Sequence, residues 1–383
     1  MKTISIANQK GGCGKTTTAI NLSSAIAVSG KNVLLIDLDP QAHATYGLGV
    51  ANQTADKTIY NVLTDNSERR RPLSDCIFNV TKNLDIIPSS ILLSTIEQEL
   101  KDKEDAVSKL HGILASSSLN YDYAIIDCPP SLGFLTFNAL RAADVVLVPI
   151  DMSAFSLMGV AKLLGMLELI KVKINHSPRV NAVATIFDRR TKYSQTMLDE
   201  ITALFKDQML QTVIRLNVAL KKAASKGISV IQFDCESNGA IDHLALAKEI
   251  TRYDEESDAV KKVEADENAM LAVTNTVDQP QASASPEAPS LMEAVESLSK
   301  EIRFAIDAPN AKDIYIVGDF NHWKIDDSSR LSRIQDGKWE KSLGLPAGRY
   351  KYKFVIDGEW VLDSQNSQRV PNAFGTFDSI INL

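Results

Sequence analysis

The stretch KGGCGKTTT, Lys10 to Thr18, follows the apolar run Ile4, Ser5, Ile6, Ala7 and leads into TTTAINLSSAIAVSG, a helical segment closed by Gly30. Gly11, Gly12 and Gly14 let the backbone turn sharply, so that successive N–H groups can point at phosphate oxygens. Lys15 reaches the terminal phosphates, Thr16 offers its hydroxyl to Mg²⁺, and the helix beginning near Thr16 aims its positive dipole end at the anion. The string fits G-x-x-x-x-G-K-[ST] with one residue relaxed at the front. A glycine-rich turn before an ordinary helix would explain the glycines. It would not explain strand, loop, lysine, threonines and helix in that order. Gly11, Gly12, Cys13, Gly14, Lys15, Thr16 and Thr17 are therefore the candidate nucleotide-binding residues. Lys10 adds a second lysine that an ordinary phosphate loop lacks.

Working outward, two apolar runs end in carboxylates. VLLIDLDPQ, Val33 to Gln41, carries Asp39, and YAIIDCPPSL, Tyr123 to Leu132, reads as a buried strand that Asp127 ends and Pro129–Pro130 forbid to continue. An acid at the end of such a strand can hold a water on Mg²⁺, and the loop after it can sense the γ-phosphate. A single aspartate after a strand often only caps the next helix. Two of them beside a phosphate loop specify a nucleotide site. No [NT]-K-x-D guanine motif is present, so ATP is preferred over GTP.

With these residues the chain resembles the ParA/Soj/MinD family of deviant Walker-A ATPases, in its short ParA or Soj form, over about residues 1–252. The resemblance implies an ATP hydrolase in which Lys10 crosses into the partner's site of a nucleotide-sandwich homodimer. Asp39 would position the attacking water, making Lys10, Lys15 and Asp39 the catalytic set, with Thr16 and, through water, Asp127 on the metal. Phosphoryl transfer needs positive charge on the γ-phosphate and an oriented nucleophile, and asks little covalent chemistry of the protein. The family usually has valine at Cys13; the side chain there should point off the phosphate, as a tolerated small residue or a redox switch.

The 383 residues, 44% apolar, can bury a large core and more than one domain. Four cysteines, at 13, 76, 128 and 235, make no C-x-x-C or zinc spacing, which fits a reducing cytoplasm and argues against a cluster carrier. A strand starts within two residues of Met1, leaving no signal peptide, and no run approaches a membrane span. Of the formal charge of −7, the whole excess lies between Arg252 and Lys300, with eleven acidic and four basic residues. The rest can therefore carry a basic face. Family members bind DNA non-specifically through two regions, matched here by FDRRTKYSQ with Arg189, Arg190 and Lys192, and by VIRLNVALKKAASKG with Arg215, Lys221, Lys222 and Lys226. The expected DNA contacts are Arg189, Arg190, Lys221, Lys222 and Lys226; a solvated lysine-rich helix start is the other reading of the second region. Ala219 stands where Soj-like proteins carry arginine.

Residues 253–297 read as an acidic linker: DEESDAVKKVEADENA as a frayed helix, VDQPQASASPEAPS as coil, and LMEAVESL as a short amphipathic helix. From 298 to 383 the period becomes two, in IRFAID, DIYIVGDF, KWEKSLGL, GRYKYKFVIDG and SIINL. This predicts a small antiparallel, Ig-like sandwich after the doubly wound, mostly parallel α/β ATPase. GDFNHW, GKWEKSLGLPAGRYKYKFVIDGEWVLD and GTFDSIINL resemble family 48 carbohydrate-binding modules, including the glycogen-binding module of the AMP-activated kinase β subunit. That resemblance makes Trp323 and Trp360 stacking residues, Lys353 a hydroxyl donor and Phe374 an inserting residue, and matches a sugar-contacting asparagine with Asp378. Sugar and protein partners both remain open, because modules of this fold also serve as interaction domains. Trp339, alternating with Leu343 and Leu345, reads as core.

The combined expectation is a dimerising ATPase that binds DNA, answers to a ParB-like or cargo adaptor, and positions a chromosome, plasmid, protein assembly or granule. It has no stable membrane anchor, it associates with the nucleoid when ATP-bound, and its C-terminal adaptor takes glycogen, another α-glucan or protein. The rival readings are a membrane-cycling MinD-like positioner and a glycogen-associated regulatory ATPase. The first would end in a basic amphipathic helix; the second, taken as a glycogen-metabolising enzyme, would need a catalytic sugar domain.

Overall fold

Near-continuous apolar runs make strands that must be covered on both faces, and the first part of the chain is built on them. In the computed structural model these are β1 (Lys2–Ile6), β2 (Val33–Asp37), β3 (Phe78–Thr81), β4 (Leu84–Ile87), β5 (Tyr123–Asp127), β6 (Val145–Asp151), β7 (Arg179–Phe187) and β8 (Met209–Arg215). The structure describes residues 1–271 and 299–382, apart from 54, 55, 102, 104, 154, 155, 322, 335, 336, 347, 348 and 373–375. Spatial order is β3-β4-β2-β5-β1-β6-β7-β8. β3 runs antiparallel to β4 and every other pairing is parallel. All five residues of β2 and of β5 are buried, as two-sided coverage requires. The register sets Ile6, Asp37 and Asp127 side by side at the C-terminal ends of three central strands. Parallel α/β sheets bind ligands at that edge.

The helix Lys15–Val28 starts straight after the glycine loop and packs Leu22 and Ile26 into the main core with Leu246 and Ile250 of the last helix, Asn238–Leu271. That last helix runs unbroken through the 252/253 boundary expected from composition. Tyr253 packs against the core, and Asp254, 3% exposed, pairs with Arg179 at 2.8 Å. Ordered packing thus outlasts the change in composition. The coil expected at Val277–Ser290 and the short helix expected at Leu291–Leu298 lie outside the described residues.

Contacts divide the chain into two units, Met1–Ala288 and Pro289–Leu383. In the second, period-two sequence gives β9 (Ser299–Asp307), β10 (Ile314–Gly318), β11 (Ser332–Arg333), β12 (Lys338–Pro346), β13 (Arg349–Ile356), β14 (Glu359–Val361), β15 (Arg369–Pro371) and β16 (Phe377–Asn382). They form two antiparallel sheets, β10-β13-β16-β15 with β14 on β13, and β11-β12-β9. Alternation on β13 buries Tyr350, Tyr352 and Phe354, and Phe304 meets Tyr352 edge-on at 5.1 Å. Trp339 is 5% exposed and its indole donates to the Ala308 carbonyl at 3.0 Å, the core role its alternation predicts. Asp357 and Gly358, both at positive φ, make the tight turn between β13 and β14.

Candidate nucleotide site and C-terminal groove

The phosphate loop leaves β1 and turns through Gly12 at φ 78° and Gly14 at φ 93°, conformations that a side chain would strain. A Cβ on Gly11 or Gly12 would meet nothing within 4 Å, so the space beside the loop at both positions is open. Lys15, 7% exposed, turns its ammonium back to the Lys10 carbonyl at 2.9 Å. Cys13 is buried, and its thiol donates to the same carbonyl at 3.2 Å. Burial pushes that thiol up, away from thiolate reactivity. Thr185, near the end of β7, ties the loop down by donating its hydroxyl to the Cys13 carbonyl at 2.8 Å.

The carboxylates divide into satisfied and unsatisfied. Asp37 accepts from the Thr45 amide at 2.8 Å, the Thr45 hydroxyl at 2.7 Å and the Asp39 amide at 3.2 Å. Burial nevertheless raises it to about 6. Asp39 accepts from the Gln41 amide at 2.9 Å and is 5% exposed. Asp127 is fully buried and neither of its oxygens has a hydrogen-bond partner of good geometry. Burial, and then the neighbouring Asp37, hold its carboxyl well above the usual range against the weaker pull of Thr16 and Lys15. Orphaned buried oxygens are costly, and beside the Thr16 hydroxyl they fit a Mg²⁺ ion that keeps its own waters. Among the described residues no cluster of three or more His, Cys, Asp or Glu could hold a metal by itself, so the remaining ligands would be water and phosphate.

Lys10 is held within its own chain. Its ammonium donates to both oxygens of Asp151, at 2.7 and 2.6 Å, to Ser153 and, at 3.3 Å, to Ser156. These partners and Thr185 escape the sequence reading; Asp151 ends β6 as Asp127 ends β5, so the same strand-end rule would have found it. Also unforeseen are three exposed apolar residues: Ile186 near the end of β7, Leu216 just after β8, and Val218, which opens the helix Val218–Ser225. Ile186 has φ 54°, which a β-branched residue strongly avoids.

The basic candidates separate by partner. Arg190 is exposed, but Asp188 takes both arms of its guanidinium at 2.8 and 2.7 Å, which lowers Asp188 to about 2. Arg215 is clamped by Asp242 at 2.6 to 3.0 Å. Lys226 lies over the Phe233 ring at 5.0 Å. Arg189, Lys192, Lys221 and Lys222 are exposed and make no ion pair among the described residues.

In the second unit Trp323 and Trp360 face one groove of about 1210 Å³, shared with Asp319, Lys353, Phe377 and Asp378. The two rings are 6.1 Å apart and tilted by 33°, and Trp360 is half exposed. Lys353, mostly buried, donates to Thr376 at 3.1 Å and pairs with Asp378 at 3.4 Å. Asp378, where the related modules have asparagine, therefore neutralises the lysine. Phe374 lies outside the described residues. Phe377, 49% exposed, is an aromatic wall that the sequence reading did not single out.

Comparison with known proteins follows this division. A family described as an AAA domain matches residues 1–180, and one described as the glycogen recognition site of AMP-activated protein kinase matches 302–383. The chain is 41% identical over 251 residues to the sporulation initiation inhibitor protein Soj of Bacillus subtilis, covering 65% of this chain and 98% of Soj. It is 36% identical over 253 residues to the chromosome partitioning protein ParA of Myxococcus xanthus, covering 66% of this chain and 88% of that protein. Among solved structures, cobyrinic acid a,c-diamide synthase from Mycobacterium smegmatis, with an ATP analogue and magnesium bound, superposes with a TM-score of 0.58. That alignment has 28% identity and covers 67% of this chain and 96% of the synthase.

Proposed function

The chain belongs to the ParA/Soj family of chromosome-partitioning P-loop ATPases, with ATP and Mg²⁺ as cofactors, and from that premise we propose that it is a nucleotide-switched positioning protein for a glucan-bearing cargo. In this reading the ATP-bound chain dimerises and holds DNA without regard to sequence. The C-terminal groove grips the α-glucan coat of its cargo, such as a storage granule. A ParB-like or cargo-borne partner stimulates hydrolysis and releases the grip on DNA.

The residues divide the work. Backbone N–H groups from Gly11 to Thr17 and the Lys15 ammonium, turning from the Lys10 carbonyl, hold the phosphates. Thr16, with Asp127 through water, would hold Mg²⁺, which would supply positive charge against the phosphates. Asp39 orients the attacking water, and Ile186, Leu216 and Val218 give the base an apolar bed. Lys10 leaves Asp151 to reach the partner's phosphates, so hydrolysis waits on dimerisation. DNA contact rests on Arg189, Lys192, Lys221 and Lys222, with less from Lys226 and Arg190, which already have local partners.

The observation that carries this reading is the presence in one chain of a phosphate loop bearing Lys10 and a groove lined by two tryptophans and two lysines. It is tested by sedimenting glycogen in the presence of random-sequence DNA. DNA should follow the full-length protein into the glycogen pellet only with ATP and Mg²⁺, and Lys221→Glu with Lys222→Glu should flatten its steep salt dependence. No DNA in the pellet with ATP at about 50 mM salt, where phosphate contacts are strong, would remove this reading.

A further inference from the structure

Trp323 and Trp360 are carried by different parts of the second unit. Trp360 sits on β14, paired to Val355 of β13, whereas Trp323 follows the loop that leaves β10. A loop residue and a strand residue keep a fixed mutual angle only if the loop is referenced to the sheet. The backbone of that loop is tied by the Trp323 amide to the Gly318 carbonyl at 3.0 Å and by Asn321, which accepts from the Gly318 amide and donates to the Ile316 carbonyl, both at 2.9 Å. Those bonds hold the chain but leave the indole free to turn. Moreover, Trp323 has φ 59°, a conformation that a bulky residue keeps only where its surroundings over-determine it.

Among the described residues, one side chain meets the indole with a hydrogen bond. Asp319 accepts from the Trp323 indole N–H at 3.1 Å with one carboxylate oxygen and from the Lys351 backbone N–H at 2.9 Å with the other. Lys351 belongs to β13, the strand that pairs with β14. The carboxylate thus references the loop ring to the strand that carries the other ring. We propose that Asp319 is the positioning residue of the groove, fixing the Trp323 face at its angle to Trp360 before any ligand arrives. The inference rests on the glucan reading, since a preformed pair of stacking faces saves the ordering cost of binding a flexible sugar chain. Asp319 also lines the groove, so a direct bond from its carboxylate to a sugar hydroxyl is the competing account.

The two accounts separate in a double-mutant cycle on the full chain, with maltoheptaose as probe. Trp323→Phe keeps a stacking ring but has no N–H to position. Asp319→Ala should weaken maltoheptaose about fivefold to tenfold in the native background and less than twofold beside Trp323→Phe, because coupled residues are non-additive. The Trp323 indole N–H should also lose its protection from hydrogen exchange, while that of Trp339, bonded to the Ala308 carbonyl, keeps its own and reports an intact fold. If Asp319→Ala fails to fold, Asp319→Asn carries the same test with the same sign. An equal loss in both backgrounds, or no loss in either, overturns the positioning role and leaves the glucan reading standing. Failure of the unaltered protein to bind maltoheptaose overturns both.

Discussion

The nucleotide end of the ATPase sheet and the groove of the C-terminal sandwich are both binding sites, yet they store their readiness differently. At the sheet edge, Asp127 is buried with both oxygens unpartnered, Lys15 is parked on a backbone carbonyl and Lys10 on Asp151. In the groove Lys353 is already answered by Asp378 and Thr376, and Asp319 by two N–H groups. The first site is electrostatically incomplete and gains most of its order from ligand. The second has its buried charges paired and offers shape. A switch needs the first kind, because only a site whose groups must change partners can report what is bound. An anchor needs the second.

The largest effect should come from breaking the incomplete site. Lys15→Ala removes the charge that meets the terminal phosphates and should weaken ATP by roughly a hundredfold or more. Retention on glycogen should be untouched, since the groove lies in the other unit. Nucleotide titration and a glycogen pull-down on the same sample check both halves. Loss of glycogen retention together with ATP would show that the two sites are not independent.

Next come the two ends of the Lys10 pair. Lys10→Ala should keep ATP and lose the ATP-dependent dimer, whereas Asp39→Ala should accumulate that dimer by leaving the water unoriented. Asp151→Asn weakens the intrachain hold on Lys10, so its dimer should form at several-fold lower protein concentration. The effect is modest because both side chains of the pair are partly exposed, 21% and 16%. Size-exclusion chromatography with ATP reads all three. A Lys10→Ala protein that still dimerises removes the crossing lysine, and an Asp151→Asn protein that dimerises less readily removes the idea that the pair opposes dimerisation.

In the groove, Trp360→Ala deletes a half-exposed stacking face and should cost about 2 kcal/mol, roughly thirtyfold in glucan affinity. The fold should hold, because the core is carried by Tyr350, Tyr352, Phe354 and Trp339. The same change should leave ATP affinity alone. Glucan binding that survives Trp360→Ala, with the domain folded, would turn the groove from a stacking site into a polar one.

What the sequence made legible was what lies close in the chain. The loop Lys10–Thr18, Asp39 just past the end of β2 and the strand-end Asp127 are read from spacing within single segments, and β1, β2 and β5, which carry them, end side by side. The Lys10–Asp151 pair joins residues 141 positions apart, which no local pattern encodes. Arg190 shows the opposite limit: Asp188, only two residues earlier, pairs with it, and a count of basic residues passes over that. In the sandwich the long alternating strands were legible. β11, β14 and β15, two or three residues each, were not, because so short a segment has no period. Phe377 and Asp319 join the groove only when the loop after β10 and the start of β16 come together there.

The two sites do share one feature, and it gives the smallest and most discriminating effect. Both hold a non-glycine residue in left-handed backbone: Trp323 at φ 59° beside the groove and Ala42 at φ 57° in the loop after Asp39. Trp323 cannot be relieved without losing its ring, but Ala42 can. An L-residue in that region costs about 1–2 kcal/mol, which Ala42→Gly would recover. Glycine gives back about 0.5–1 kcal/mol in unfolded-state entropy, and loss of the buried methyl about 0.8 kcal/mol. The sum lies within about 0.8 kcal/mol of zero, a shift of roughly 3 °C at most in thermal midpoint. Ala25→Gly, at a buried site inside the helix Lys15–Val28, has no strain to recover and should cost about 1.5–2 kcal/mol. Paired thermal melts of the two variants test this. If Ala42→Gly is as costly as Ala25→Gly, the loop after Asp39 carries no backbone strain, and the likeness between the two sites ends there.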